Sequence, residues 1–155
     1  MGRYFEDFTV GDVYKHWPGR TVTAADNTWF TLLTMNQHPL HFDEEYAKRT
    51  EFGKPLVNST LTLAIVVGMS VADVSQNAVA NLGWTDIRMP APVFNGDTLY
   101  AESKVLDKRA SKSRPGQGIV SVATRAWKQD GTTVMTFQRS VLVPSRGRGA
   151  GEAAA

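Results

Sequence analysis

Between residues 58 and 74, apolar side chains recur at Leu61, Ala64, Ile65, Gly68 and Met69, the spacing of one helical face. Leu63, Val66 and Val67 occupy other faces, so the pattern predicts a helix that is apolar nearly all round and therefore buried. Downstream the period falls to two. Residues 79–89 read as a strand, and Pro90-Ala91-Pro92 breaks the run into an edge or a kink. Asn95-Gly96-Asp97 is a turn signal. From residue 98 to 108, Leu99, Ala101, Ser103 and Val105 alternate with Tyr100, Glu102, Lys104 and Leu106. A polar hairpin over 108–117, a strand over 118–128, an Asp130-Gly131 turn and a strand over 133–143 complete a meander.

Upstream, residues 14–22 predict an opening strand interrupted at Pro18-Gly19. Thr23 starts a helix as N-cap, with Asp26 in the capping-box position usually held by Glu. Phe30, Leu33 and Trp29 give that helix its apolar side. It must end by His38, because Pro39 cannot continue it. Residues 43–49 form a short second helix capped by Asp43. The order of strand, small helices, one long helix and antiparallel strands is an α+β layout. A sheet curled around the long helix would explain why that helix lacks a polar face. Residues 1–144 are read as one domain, and 145–155, rich in Gly, Arg and Ala, as a disordered tail.

Composition narrows the class. The chain has 155 residues, 42% hydrophobic and 21% charged, enough for an ordinary soluble domain with its own core. Having no Cys excludes disulfides, thiolate metal sites and cysteine nucleophiles. No apolar leader opens the sequence and no run of 18 apolar residues exists, so neither a signal peptide nor a membrane span is expected, and the expected location is the cytoplasm. The net charge of +2 is mild. Its cations cluster at 108–114, read as a solvated hairpin loop or a contact for a phosphate-bearing small ligand, and at 146–148 in the tail; no nucleic-acid partner is expected. No metal-ligand spacing and no Gly-rich phosphate loop is present.

The candidate chemistry lies in Asn36-Gln37-His38-Pro39-Leu40-His41, between the two short helices. Pro39 fixes the backbone and holds His41 in a rigid bend. The ordinary pKa of a histidine suits general acid or base work, and the plainer reading is a His that fills a turn. Asp26, Asp43 and Glu44 read as caps or solvated groups. Asp86 lies in an apolar strand with Arg88 two residues on, which predicts a same-face ion pair. His16 reads as an ordinary strand residue.

Three blocks taken together resemble the MaoC-like dehydratases, which include the R-specific enoyl-CoA hydratases. They are residues 36–41, against the family pattern D-x-N-P-L-H; Phe52-Gly53-Lys54-Pro55-Leu56-Val57-Asn58-Ser59, like the family segment entering the central helix; and Pro92-Val93-Phe94-Asn95-Gly96-Asp97. The resemblance covers residues 5–143, and the run from Thr31 to His41 with Asn58-Ser59 looks most like the mesaconyl-CoA hydratase branch. It implies a hotdog fold, an antiparallel sheet wrapped around a long central helix. It implies a hydro-lyase adding water reversibly to an enoyl-CoA thioester, with no separate cofactor because CoA is part of the substrate. A homodimer or dimer of dimers is implied as well, since one hotdog sheet leaves an edge open.

Carried over residue by residue, the family's catalytic His falls on His41. The thioester oxyanion donor at the start of the central helix, usually Gly, falls on Ser59. The family's catalytic Asp falls on Asn36 and its Asn on His38. An amide takes no proton at neutral pH, so three explanations stand: His41 works alone while Asn36 holds the water; His38 supplies the second titrating group; or the chain keeps only the ligand site. A Ser that contacts the catalytic Asp in some hydratases is replaced by Val67. Lys54, Arg88 and Arg109 are candidates for the CoA phosphates. An acyl-CoA thioesterase and a non-catalytic acyl-CoA-binding protein are the competing functions; no helix carboxylate suits the former.

Overall fold

The computed structural model describes residues 2–147. Its frame is one antiparallel sheet of β1 (Val13–Lys15), β2 (Arg20–Thr21), β3 (Ala80–Arg88), β4 (Thr98–Ala110), β5 (Gln117–Lys128) and β6 (Thr133–Pro144). The strand order is β1-β4-β5-β6-β3, with β2 also pairing β4. The long strands follow from alternation: Leu99, Ala101, Ser103 and Val105 of β4 are all buried, the last three paired with Ala126, Thr124 and Val122 of β5, which are buried too. The helices are α1 (Ala24–Leu33), α2 (Glu44–Ala47) and α3 (Ser59–Met69), and α3 lies on the inner face of the sheet as the hotdog expectation requires.

Two apolar cores lie along that inner face. Leu61 and Val66 of α3 pack with Val57, Val93, Leu99, Ala101, Val134, Met135 and Phe137. At the other end Phe8, Val74, Val105, Val120, Val122, Val141 and Val143 form the second. Phe5, in a 3₁₀ turn, covers this second core, and Gly118 is its seat: a Cβ there would fall 2.2 Å from the Phe5 ring.

Several expectations need correction. The long helix ends at Met69, and Val71–Ser75 continue as a π-helical turn. It is not buried all round in the single chain: Thr60, Ala64 and Gly68, four residues apart, lie exposed on one stripe. The expected apolar side of α1 holds only at Phe30, which packs against the first core. The buried residues of the helix are Asn27 and Thr31, while Trp29 and Leu33 are 77% and 81% exposed. Asp86 makes no ion pair with Arg88 among the described residues. A bulge between Thr85 and Arg88, with Asp86 at φ 51°, breaks the alternation, and Gln138 approaches the Asp86 carboxylate instead.

The 108–117 hairpin is shorter than expected, because β4 runs to Ala110. Ser145 and Arg146 of the expected tail hydrogen-bond to the Gly116 carbonyl and the Glu6 carboxylate; residues 148–155 lie outside the described residues. Among the described residues, no helix is long and apolar enough to cross a membrane.

Candidate functional site

The inward polar residues of α1 organise the site. Thr23 and Asp26 close the expected capping box, with Asp26 N–H donating to Thr23 Oγ1 at 3.1 Å and Thr23 N–H to Asp26 Oδ2 at 2.8 Å. One turn on, the fully buried Asn27 joins three backbone segments. Its Nδ2 donates to the carbonyl oxygens of His41 (2.8 Å) and Leu56 (3.0 Å), and its Oδ1 accepts from Asn58 N–H (2.9 Å). Asn58 in turn caps α3, accepting from Thr60 N–H at 3.0 Å, while its Nδ2 donates to Thr31 Oγ1. The pattern 27, 31 is a helical face, but a polar one, so a search for apolar periodicity passes over it.

The C-terminus of α1 delivers Asn36. Asn36 N–H donates to the Thr31 carbonyl and Met35 N–H to the Leu32 carbonyl, each at 3.0 Å, with Met35 at φ 60°. This is a Schellman ending in which Met takes the left-handed position usually given to Gly. The Asn36 Oδ1 then accepts from His38 N–H at 3.0 Å. That bond orients the amide, leaving the Nδ2 hydrogens as its free donors.

Pro39 opens a 3₁₀ turn, Pro39–His41, and His41 follows in the rigid bend expected of it. His41 Nδ1 lies 2.8 Å from the Leu56 carbonyl oxygen. A carbonyl only accepts, so Nδ1 carries a hydrogen and the neutral ring keeps its lone pair on Nε2. His38 is held in the opposite sense. Its Nδ1 accepts from Leu40 N–H at 3.2 Å, so its free nitrogen, Nε2, bears the hydrogen. The two rings lie 5.9 Å apart, and Tyr46 supports His38 at 6.0 Å.

Three residues beyond Leu56, Ser59 opens α3. Its N–H has no acceptor within the helix and stands at the positive end of the helix dipole. In front of it runs a groove of about 270 Å³, lined by Phe52, Leu56, Ser59, Thr62, Met89 and Pro92 among others. The wall from Phe94 to Asp97 is braced by the Asp97 carboxylate, which accepts from Phe94 N–H, Gln129 Nε2 and Lys128. Burial by itself raises the Asp97 pKa; those hydrogen bonds and the Lys128 charge bring it below the usual value.

The Asn27 junction ties the backbone of His41 to the segment that opens α3 at Ser59. Asn36 joins the same network only through Thr31, and neither His41 nor Asn36 lines the groove. Lys54 lies at the Phe94 rim, its ammonium 4.4 Å from the ring centroid. Lys128 approaches the same ring at 5.9 Å, with its ammonium committed to the Asp97 carboxylate and the Pro92 carbonyl. Two expected cations go elsewhere. Arg88 lines a groove on the outer sheet face with Asp86, Glu102 and Arg125, because the β3 bulge turns it there. Arg109 stands opposite Ile119 at the far end of β4, ten residues and about 33 Å of strand beyond Leu99.

His16 is also not an ordinary strand residue. Its buried ring bonds Asp73 from Nδ1 (2.9 Å) and Ser103 Oγ from Nε2 (2.8 Å), and Ser103 bonds Thr124. The Asp–His–Ser order is that of a hydrolytic triad, but Ser103 is 0% exposed, so no substrate reaches it. It fastens the π-helical turn to the sheet. Among the described residues, no group of three or more His, Asp or Glu could hold a metal.

Comparison with known proteins adds the relatives. The mesaconyl-CoA hydratase family model matches residues 1–154. A mesaconyl-CoA hydratase of Cereibacter sphaeroides is 37% identical over 145 residues, 94% of this chain and 42% of that protein. An (R)-specific enoyl-CoA hydratase of Aeromonas caviae is 29% identical over 121 residues, 78% of this chain and 86% of the relative. A solved MaoC domain dehydratase from Chloroflexus aurantiacus superposes with a TM-score of 0.88 at 33% identity, over 99% of this chain and 43% of that one. The chain thus spans about two-fifths of the length of the mesaconyl-type relatives it matches.

Proposed function

The chain belongs to the mesaconyl-CoA hydratase family, and on that footing we propose that it adds water reversibly across the double bond of an enoyl-CoA thioester, with mesaconyl-like acyl groups as the preferred class. The observation that carries the reading is the His41 ring, whose Nδ1–H is committed to Leu56 so that Nε2 is the free base.

Water donates to His41 Nε2 and accepts from Asn36 Nδ2. As its oxygen bonds C3, His41 takes the proton and the electron pair moves through C2 to the thioester oxygen. Ser59 N–H, at the positive end of α3, stabilises that enolate oxygen. The imidazolium then returns its proton to C2 on the same face, restoring the neutral ring and completing a syn addition. His41 alone therefore closes the proton balance. His38 is poorly suited to a titrating role, because protonating its Nδ1 would forfeit the bond from Leu40 N–H. Lys54 meets anionic groups of the CoA.

A second reading is favoured by one observation: Asn36 offers an amide where the family has a carboxylate, which suits a protein that binds acyl-CoA without chemistry. Incubation with crotonyl-CoA and mesaconyl-CoA decides between them. Loss of the conjugated-thioester absorbance supports hydration, release of free thiol marks a thioesterase, and binding without either change marks a binding protein.

We propose a homodimer or dimer of dimers. β3 pairs only with β6, and Leu82, Trp84 and Ile87 on it are 40–50% exposed, a free apolar edge that a second copy would cover. A cysteine-free chain is compatible with the proposed cytoplasmic location.

A further inference from the structure

The groove at the start of α3 holds a polar group that the proposed chemistry does not use. Thr62 is 3% exposed, one helical turn beyond Ser59, and lines the groove. Its N–H is bonded to the Asn58 carbonyl, while its hydroxyl makes no hydrogen bond among the described residues and is not one of the fully buried unpartnered atoms, so it reaches the open side of the groove. Every other wall residue except Ser59 is apolar: Phe52, Leu56, Val57, Met89, Pro90, Ala91, Pro92, Val93 and Val134. A hydroxyl with no protein partner on the wall of an otherwise apolar groove offers a hydrogen bond to a ligand lying there.

The position limits what that partner is. One turn of helix is about 5 Å, so the partner lies near the thioester carbonyl held at Ser59. Two groups of an acyl-CoA stand at that range: the first amide of the pantetheine arm, and the distal carboxylate of a dicarboxylic acyl group. No cation lines the groove, and a carboxylate buried against apolar walls with a single neutral donor is strongly disfavoured. A neutral amide on a slender, otherwise apolar chain suits both the walls and the one hydroxyl.

We propose that Thr62 is a specificity-determining residue whose hydroxyl hydrogen-bonds an amide of the pantetheine arm, so that the groove in front of α3 reads the carrier rather than the acyl group. The assignment rests on the enoyl-CoA reading above. It makes the acyl group, whatever its charge, extend away from this groove.

Thr62→Val keeps the shape and removes the hydroxyl, and Thr62→Ser keeps the hydroxyl. With unchanged thermal unfolding, Thr62→Val is expected to raise KM roughly three- to tenfold for crotonyl-CoA and mesaconyl-CoA alike, with kcat preserved. It should leave the S-ethyl thioester of crotonate, which has no amide, unaffected, and Thr62→Ser should restore KM. A loss confined to mesaconyl-CoA would put the acyl carboxylate at Thr62 and overturn the assignment. So would an equal loss on the S-ethyl ester, or no loss anywhere. Calorimetric binding of free CoA separates the two layers. If the parent binds CoA but hydrates nothing, the enoyl-CoA reading fails, and the affinity of Thr62→Val and Thr62→Ser for CoA still decides the role of Thr62. A parent that neither binds CoA nor hydrates its esters overturns both.

Discussion

Asn27 Oδ1 accepts a hydrogen bond from the backbone N–H of Asn58 at 2.9 Å, tying α1 to the start of α3 across 31 positions of sequence. The same amide holds the carbonyls of His41 and Leu56, so the proposed base and the proposed oxyanion donor share one buried support. Asn27→Leu would leave the Asn58 N–H and the His41 carbonyl without a partner and the Leu56 carbonyl with His41 Nδ1 alone. The expected cost is about 2–4 kcal/mol of stability, with kcat falling more than KM rises. Thermal unfolding and steady-state kinetics check both; a variant as stable as the parent would contradict the junction.

His41→Ala is expected to lower kcat roughly 10²–10⁴-fold with the fold retained. Asn36→Ala should cost less, since it removes only the grip on water. Asn36→Asp restores the family carboxylate, but by the resemblance the hydroxyl that would partner it falls on Val67, which has none, so hydration of the parent's own substrate is not expected to improve. A tenfold gain would instead favour the reading in which the chain has kept the site and lost the reaction.

Met35 occupies a left-handed backbone position with its side chain 85% exposed. Met35→Gly removes the steric cost and loses little packing, so it should stabilise the protein by about 0.5–1 kcal/mol. Chemical denaturation reads the change. Activity should be kept, because the bonds to Thr31 and Leu32 that position Asn36 are backbone bonds.

The folded-state pKa of Asp97 lies below its ordinary value of 3.8. Its contribution is therefore fully present above the ordinary value and is lost as pH falls through the lower, folded one. Asp97→Asn should be less stable than the parent at neutral pH and should show a shallower loss of stability below about pH 4. Unfolding midpoints across an acid series measure the slope.

Lys54 and Arg109 separate near from far. Lys54→Glu should raise KM for CoA esters more than it lowers kcat, whereas Arg109→Glu, at the other end of β4, should leave both close to the parent. Equal effects from the two would remove the Phe94 rim as the CoA anchor.

The alternation along β4 to β6 and the capping residues Thr23 and Asp43 made the frame legible in the sequence. Regular pleats and helix starts depend on nearest neighbours. Legibility failed where tertiary contacts decide. Asn27 and Thr31 read as the polar side of a helix because hydrophobic periodicity assumes that polar means outward. Asp86 and Arg88 read as same-face residues because a bulge is invisible to a period of two. His41 was legible through Pro39, but its tautomer needed the Leu56 carbonyl, which arrives from 15 residues away. Arg109 was chosen for charge alone, and charge says nothing about which end of a strand it occupies.

The polar inward positions of α1, Asn27 and Thr31, and its exposed apolar ones, Trp29 and Leu33, split the helix into two independently adjustable surfaces. Apolar contacts tolerate sliding, whereas amide hydrogen bonds fix direction as well as distance. The inward face can therefore hold the proposed catalytic geometry constant while Trp29 and Leu33 on the outward face drift to suit whatever covers them. Random mutagenesis of the outward positions would retune association without touching turnover, and mutagenesis of Asn27 or Thr31 would do the reverse, so one ten-residue helix lets assembly and chemistry evolve on separate clocks.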